Sequence, residues 1–386
     1  MEARHNPTDS MRIGLNLLYA MPEVGGSWNY IENLLVALDK FADDHEFVAF
    51  VTPVSERLVP ASSRFSRVRC GINPSSRFRR IICENTWLQV VARRHNLDCM
   101  HWFANTQGLY NSVPAVVTMY DTHVFVGTSK ESQVKQFLLR QLMRMTARRA
   151  PVLLPMSHAT AAELERHLRA DPKRMMMVRV ILEPAFQPCS TVEVTNVRRQ
   201  YSLPDRFWIY VAHYKVHKNH AGLLEAYRLL KVGGYRPWPL VLRGDDLETS
   251  PAIRKQILEG GLASDIMFLP RVARELLPAL YSAASAQVYP SFYEGGGIPV
   301  LEALACGCPV ISSRLPAFQE CVGDSIVFFD SADVQAIADT MRKLQDNAEM
   351  RQTNRLAGLE RAKYFRAEYV VPNLVDAYRV AARHRS

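Results

Sequence analysis

Short apolar, β-branched runs alternate with longer stretches of helical spacing along the whole chain, the pattern of doubly wound parallel α/β sheets. Arg12 to Leu18 predicts the first strand. A loop with Gly25 and Gly26 follows, then a helix over Asn29 to Phe41 and a strand over Glu46 to Thr52, which together make one βαβ unit. Further strands are predicted at Asp98 to Phe103, Pro114 to Tyr120 and Pro151 to Met156. Helices are predicted at Glu84 to His95, Ser129 to Arg149 and His158 to Arg169.

The pattern lapses between Ile181 and Arg198, where Pro184 and Pro188 mark a linker. A second α/β series then starts. Its strands are expected at Phe207 to Ala212, Pro239 to Arg243, Ile266 to Leu269, Ala286 to Pro290, Pro309 to Ser312 and Ile326 to Phe329. A helix over Lys218 to Lys231 follows the first of these, and helices at Ala332 to Asp346, Ala348 to Tyr364 and Ala367 to Ala382 close the chain. Two Rossmann-like domains are the simplest architecture: residues 1–187, joined by the last helix at 365–386, and residues 188–364. A cleft between them is expected to hold the ligand, because open α/β sheets bind ligands beyond the carboxyl ends of their strands.

The length of 386 residues fits two domains of ordinary size. A content of 48% hydrophobic and 22% charged residues, without charge blocks or low-complexity runs, is that of a folded globular protein. Seven scattered cysteines resemble no secreted disulfide framework, so a reducing, cytoplasmic setting is expected. Cys306 and Cys308 have no zinc-like spacing to other ligands and read as small core thiols, so no structural metal is expected. The amino terminus lacks the apolar core of a signal peptide, and no window approaches a membrane span.

The net charge of +9 is unevenly placed: nine arginines lie between Arg57 and Arg94 against one carboxylate, Glu84. They form no base-reading motif, so nucleic acid is not an expected partner, whereas an anionic membrane surface or an anionic substrate is compatible with them. Within Ser129 to Arg149, Arg140, Arg144 and Arg148 recur at helical spacing opposite Val134, Phe137, Leu138, Leu142 and Met145. The ordinary reading is a solvated basic face on an amphipathic helix.

The most informative segment runs from Tyr289 to Glu302 and carries Gly295, Gly296 and Gly297 between a strand end and a helix. Glycines let backbone amides approach a ligand closely, and Pro299 suits the first helical position, so amides near Ile298 point at an anion such as a diphosphate. Glu294 and Glu302 bracket the loop. They accept hydrogen bonds from hydroxyls, which a ribose and a hexose both supply, although an acid near a helix N-terminus also has a plain electrostatic reading. A second cluster, Val211 to His220, crowds His213, Lys215, His217, Lys218 and His220 at a strand-to-helix turn, with Lys218 placed to reach a phosphate; a solvated loop is the alternative.

On these residues the chain resembles the retaining glycosyltransferases of family 4, with the two-Rossmann GT-B fold. Glu294 and Glu302 match that family's E-x7-E motif, and Ala305-Cys-Gly-Cys-Pro-Val310, Lys218-Asn219, Gly25-Gly26 and the helix Phe365 to Tyr378 match its other features. The resemblance implies a donor side in the second domain and an acceptor side in the first, with the last helix packing on the first. It assigns Lys218 to the donor diphosphate, Glu302 to the ribose, Glu294 to the transferred sugar, and Gly26 to an approach to the diphosphate from the first domain. It also implies retention at the anomeric carbon without a metal, the only co-substrate being a nucleoside diphosphate sugar, GDP-mannose or a UDP-hexose. The expected acceptor is a glycan or lipid-linked glycan, with peripheral contact to an anionic inner membrane face.

Two positions depart from the family pattern. His213 stands where many members have arginine, and in Thr118-Met-Tyr120-Asp121 a tyrosine stands where many have histidine; Tyr120 and Asp121 either line the sugar site or simply end a strand. Two other functions are compatible with these residues: a non-catalytic nucleotide-sugar-binding protein, motivated by His213, and a glycoside hydrolase with Glu294 and Glu302 as its carboxylate pair.

Overall fold

The computed structural model describes residues 10–22, 26–73, 75–125, 132–244, 250–269 and 272–384. The chain forms two compact units, one of Met1–Ile181 with Ala367–Ser386 and one of Leu182–Arg366. The division falls at Ile181 rather than after residue 187 because Leu182 and Phe186 are buried in the apolar core of the second unit.

The first unit contains β1 (Arg12–Asn16), α1 (Gly26–Phe41), β2 (Glu46–Val51), β3 (Phe65–Arg69), α2 (Arg77–Asn85), α3 (Trp87–Arg94), β4 (Cys99–Trp102), β5 (Ala115–Met119), α4 (Gln133–Arg149), β6 (Val152–Pro155) and α5 (His158–Leu168). Its parallel sheet has the order β3-β2-β1-β4-β5-β6. Strands β4, β5 and β6 are buried along their whole length, as expected where helices cover both faces of a sheet. The edge strand β3 escaped the sequence reading because Ser66, Arg67 and Arg69 are exposed and give it no apolar run.

The helix expected over Glu84 to His95 is two helices. At the break, Asn85 Nδ2 donates to the Ile81 carbonyl and Thr86 Oγ1 to that of Ile82, each at 2.7 Å, occupying acceptors that an unbroken helix bonds through amides. Helix α4 differs more deeply from its expectation. The side it buries is made by Met143, Thr146 and Ala147, while Val134, Phe137 and Leu138 are exposed and Arg140 and Arg144 are half-buried beside Phe125.

The second unit contains α6 (Thr191–Tyr201), β7 (Trp208–Val211), α7 (His220–Val232), β8 (Leu240–Arg243), α8 (Pro251–Glu259), β9 (Ile266–Leu269), α9 (Leu277–Ala283), β10 (Ala286–Tyr289), α10 (Ile298–Ala305), β11 (Val310–Ser313), α11 (Pro316–Val322), β12 (Val327–Phe329), α12 (Val334–Asp346) and α13 (Ala348–Lys363). Its parallel sheet runs β12-β11-β10-β7-β8-β9. Helix α6 occupies much of the stretch expected as a linker. A capping box starts it: the Ser190 side chain accepts from the Glu193 amide, and the Glu193 carboxylate accepts from the Ser190 amide. Cys306 and Cys308 are buried thiols of this core.

The final helix, α14 (Ala367–Ala382), returns to the first unit and packs on α1 and the sheet. The buried His101 of β4 fixes it there, with Nδ1 2.9 Å from the Tyr378 hydroxyl and Nε2 2.7 Å from Thr118 Oγ1. Burial pushes the His101 imidazole down to about 3, so the ring is a neutral structural link. Among the described residues no helix is long and apolar enough to cross a membrane.

Candidate functional site

In the second sheet the direction of strand addition reverses between β7 and β10, where the loops leaving two neighbouring strands diverge. The loop after β7 carries Lys218 and the loop after β10 carries Glu294. They are stitched together by the backbone, since the Phe292 amide donates to the His217 carbonyl at 2.8 Å. Lys218 Nζ donates to Glu294 Oε1 in a short ion pair and lies 3.4 Å from the Tyr289 hydroxyl. Both charged side chains are largely buried, so the pair sits where Coulomb attraction is strong and water is scarce.

Local chemistry fixes Lys218 in this position. It lies in a turn before α7 rather than inside the helix, because Asn219 adopts a left-handed backbone (φ 54°) and its side chain caps the Gly222 amide at 3.1 Å. The Tyr210 hydroxyl of β7 donates to the Lys218 carbonyl at 2.6 Å. His220, the first residue of α7, is buried between Tyr210 and Tyr214 with Nδ1 unpartnered; burial and then the Lys218 charge push its imidazole down to about 3. His213 is half-buried, with its carbonyl accepting from the Lys215 amide at 2.8 Å, while the Lys215 side chain is exposed.

Beyond Glu294, Gly295 and Gly296 lead to Gly297, which caps α10 in the left-handed region (φ 62°). A Cβ at Gly297 would lie 2.7 Å from the Phe318 ring, so both backbone and space require glycine. Ile298 opens α10, and Pro299 occupies the second rather than the first helical position. Pro299 has no amide hydrogen, and the Val300 and Leu301 amides donate to the Gly297 carbonyl at 3.0 and 3.1 Å, so the positive end of the helix is presented to the loop by the Ile298 amide.

Glu302 sits one turn further on and is buried. Its Oε1 lies 3.3 Å from Arg274 Nη1, and its Oε2 accepts from the Tyr281 hydroxyl at 3.4 Å. Arg274 also binds Glu183 through Nε at 2.8 Å, so one guanidinium is shared by two carboxylates. Burial raises the Glu302 carboxyl to about 7, against the opposing attraction of Arg274. Sequence reading missed Arg274, Glu183 and Tyr281, and it named Tyr289 only as the strand-end residue that opens the glycine-rich segment, without a role beside Lys218.

Of the expected first-unit residues, Gly25 lies outside the described residues and Gly26 begins α1. Tyr120 and Asp121 follow the end of β5. The Tyr120 amide donates to Asn105 Oδ1 at 2.6 Å, and its ring meets Tyr30 edge-on at 5.5 Å between centroids. Asp121 is half-buried.

Two α/β units with this strand order, and a glycine-rich helix start that follows a glutamate paired with a lysine across the switch point, are an arrangement in which open α/β sheets hold phosphorylated ligands. The fold is that of sucrose-phosphate synthase from Thermosynechococcus elongatus, matched with a TM-score of 0.80 at 20% identity over 96% of this chain and 98% of that one. The family "Glycosyl transferases group 1" matches residues 195–358. The O-antigen chain mannosyltransferase B of Escherichia coli is 31% identical over 268 residues, covering 69% of this chain and 70% of that protein. The O-antigen chain mannosyltransferase RfbU of Salmonella typhimurium is 21% identical over 326 residues, covering 83% and 87%. The chain belongs to the group 1 glycosyltransferases and has the GT-B fold. It is a glycosyltransferase, which sets aside the hydrolase reading of Glu294 and Glu302 and the non-catalytic reading drawn from His213.

Proposed function

We propose that the protein transfers a hexosyl group, and specifically a mannosyl group, from GDP-mannose to a hydroxyl of a glycan or lipid-linked glycan, with retention at the anomeric carbon. The observation that carries this reading is the buried Lys218–Glu294 pair beside the glycine-rich start of α10. Both E. coli and Salmonella relatives named above are O-antigen chain mannosyltransferases, which supports mannose as the sugar and a growing polysaccharide as the acceptor.

In this reading the donor diphosphate takes up the Lys218 ammonium, and amides of Gly296 to Ile298 flank its oxygens. As the bond from the anomeric carbon to the diphosphate breaks, negative charge grows on the leaving oxygen, and a fixed ammonium and helix start stabilise it without reorganising. Glu294, released from Lys218 by the phosphate, accepts from sugar hydroxyls, and Glu302 accepts from the ribose diol. His213 supplements Lys218 at the diphosphate, with Lys215 at the rim. Tyr120 and Asp121 belong to the side that receives the acceptor.

A thermal-shift screen of the full chain against nucleoside diphosphate sugars tests the reading. GDP-mannose is expected to raise the melting temperature more than UDP-hexoses do, because a ligand that binds only the folded state stabilises it. Stabilisation by UDP-hexoses alone would reassign the donor, and no response to any member of the series would remove the site.

A further inference from the structure

Two arginines act on Glu302, and they are used differently. Arg274 is shared between the carboxylates of Glu302 and Glu183, so its charge is matched. Arg243 is the second. It ends β8, in register with Val211 of β7 and Leu269 of β9, and its carbonyl accepts from the Ala212 amide at 3.0 Å. Its Nη2 donates to the Val272 carbonyl at 3.0 Å, whereas its Nε is enclosed and has no partner, and it forms no ion pair among the described residues. Burial raises both the Glu302 carboxyl and the Tyr281 hydroxyl, and the Arg243 charge opposes that rise at each of them. The chain leaves the strand tightly here: a Cβ at Gly244 would lie 2.6 Å from the Ala212 carbonyl oxygen, so the next residue is glycine.

An enclosed guanidinium donor without an acceptor has given up water and gained nothing in return, so at the carboxyl end of a strand it marks a place that a ligand completes. In the proposed binding mode the diphosphate lies at Lys218 and the start of α10, and the ribose at Glu302. From there the nucleoside runs toward Arg274 and Tyr281, which follow β9, and its base comes to the carboxyl ends of β8 and β9. Arg243 offers that base hydrogen-bond donors alone. Guanine answers with two adjacent acceptors, O6 and N7, the pair that a guanidinium binds in bidentate fashion. Adenine carries a donor amino group in place of O6, and uracil sets each of its carbonyls beside the N3 hydrogen, so neither base offers such a pair.

We propose that Arg243 selects guanine in the donor, its Nε and an Nη group donating to O6 and N7. The inference rests on the GDP-mannose reading and adds the residue that enforces the choice of base.

Calorimetric binding of GDP, 7-deaza-GDP, ADP and UDP to the full chain tests it, in the wild type and in Arg243→Met, which keeps an apolar stem and removes the donors. Wild type is expected to bind GDP about tenfold to a hundredfold more tightly than ADP, or than 7-deaza-GDP, which lacks the N7 acceptor. In Arg243→Met these differences should shrink below about threefold, because GDP loses affinity while ADP and UDP keep theirs. Arg243→Lys retains the charge without the planar fork and should also lose most of the preference. A melting temperature near that of wild type shows that the variants fold, and Arg243→Lys carries the comparison should Arg243→Met not fold. A merely structural arginine would weaken all four nucleotides alike, and that result overturns the proposal, as does an undiminished preference for GDP in the variants. A wild type that binds UDP better than GDP would overturn the donor reading itself and the guanine assignment with it. The wild-type series thus tests the donor reading, and the variants of a GDP-preferring protein test Arg243.

Discussion

The two units share one strand order and use charge in opposite ways. In the second unit, the loops at the switch point turn a lysine inward against a carboxylate, and a half-buried arginine is shared by two more. In the first unit, the polar groups of the central strands serve the fold. Asn16, at the end of β1, holds Glu84 and caps the Leu18 amide at 3.2 Å, and His101 of β4 holds α14. Helices α2 to α4 carry ten cations against one carboxylate, Glu84. One scaffold thus carries a matched, largely buried charge cluster in one unit and a broad cationic and apolar helical layer in the other.

The largest expected effect breaks the inward half of that contrast. Lys218→Ala should reduce transfer on the order of a thousandfold or more, by removing the charge that faces the departing diphosphate. It also leaves Glu294 buried without its cation, which destabilises the unit. Adding Glu294→Gln should therefore restore the melting temperature without restoring transfer. A Lys218→Ala protein with wild-type turnover would remove Lys218 from the reaction.

Glu302 gives the next largest effect. Its carboxyl is raised from an ordinary value near 4.5 to about 7 in the folded protein, so between these values the folded state holds a proton that the unfolded state has lost. Stability from this group is fully present below about pH 4.5 and declines as pH rises to about 7, by on the order of 3 kcal/mol. Calorimetric melting from pH 5 to pH 8 should show a steeper fall for wild type than for Glu302→Gln. Donor affinity should move the other way if the ionised carboxylate receives the ribose, improving as pH rises through about 7. Arg274→Met should push that improvement to higher pH, since it removes the cation that favours ionisation.

Gly297 tests the helix start with a smaller change. Gly297→Ala forces a Cβ into the left-handed region and against Phe318, and should cost about 1–3 kcal/mol by chemical denaturation. Phe318→Ala leaves a cavity of its own at a fully buried site, so the comparison is a cycle: Gly297→Ala should cost less in a Phe318→Ala background than in wild type, but not nothing, because the backbone strain remains.

How much was legible in the sequence follows the same division. Strands β7, β9 and β10 and the loop from Glu294 to Gly297 are local patterns, and the structure places the strands within a residue of their expected limits. Helices α8, α9 and α11 were missed because they are only seven to nine residues long, too short for periodicity to build up. Helix α6 was missed although Ser190 and Glu193 announced it, because the prolines before it read as a linker. Arg274 and Glu183 were unreadable for another reason: they lie 28 and 91 residues from the partners that give them meaning, and only the folded sheet brings them to Glu302.

The smallest expected effect tests the outward half. Periodicity alone places Val134, Phe137 and Leu138 on one stripe of α4, and a stripe of that kind ordinarily faces the core. If it did so here, Phe137→Ser would leave a cavity and an unpartnered hydroxyl, with a loss of about 3–5 kcal/mol. The side chain instead faces solvent, so urea denaturation should find the variant within about 0.5 kcal/mol of wild type. A large loss of stability would instead return this stripe to the core of the first unit.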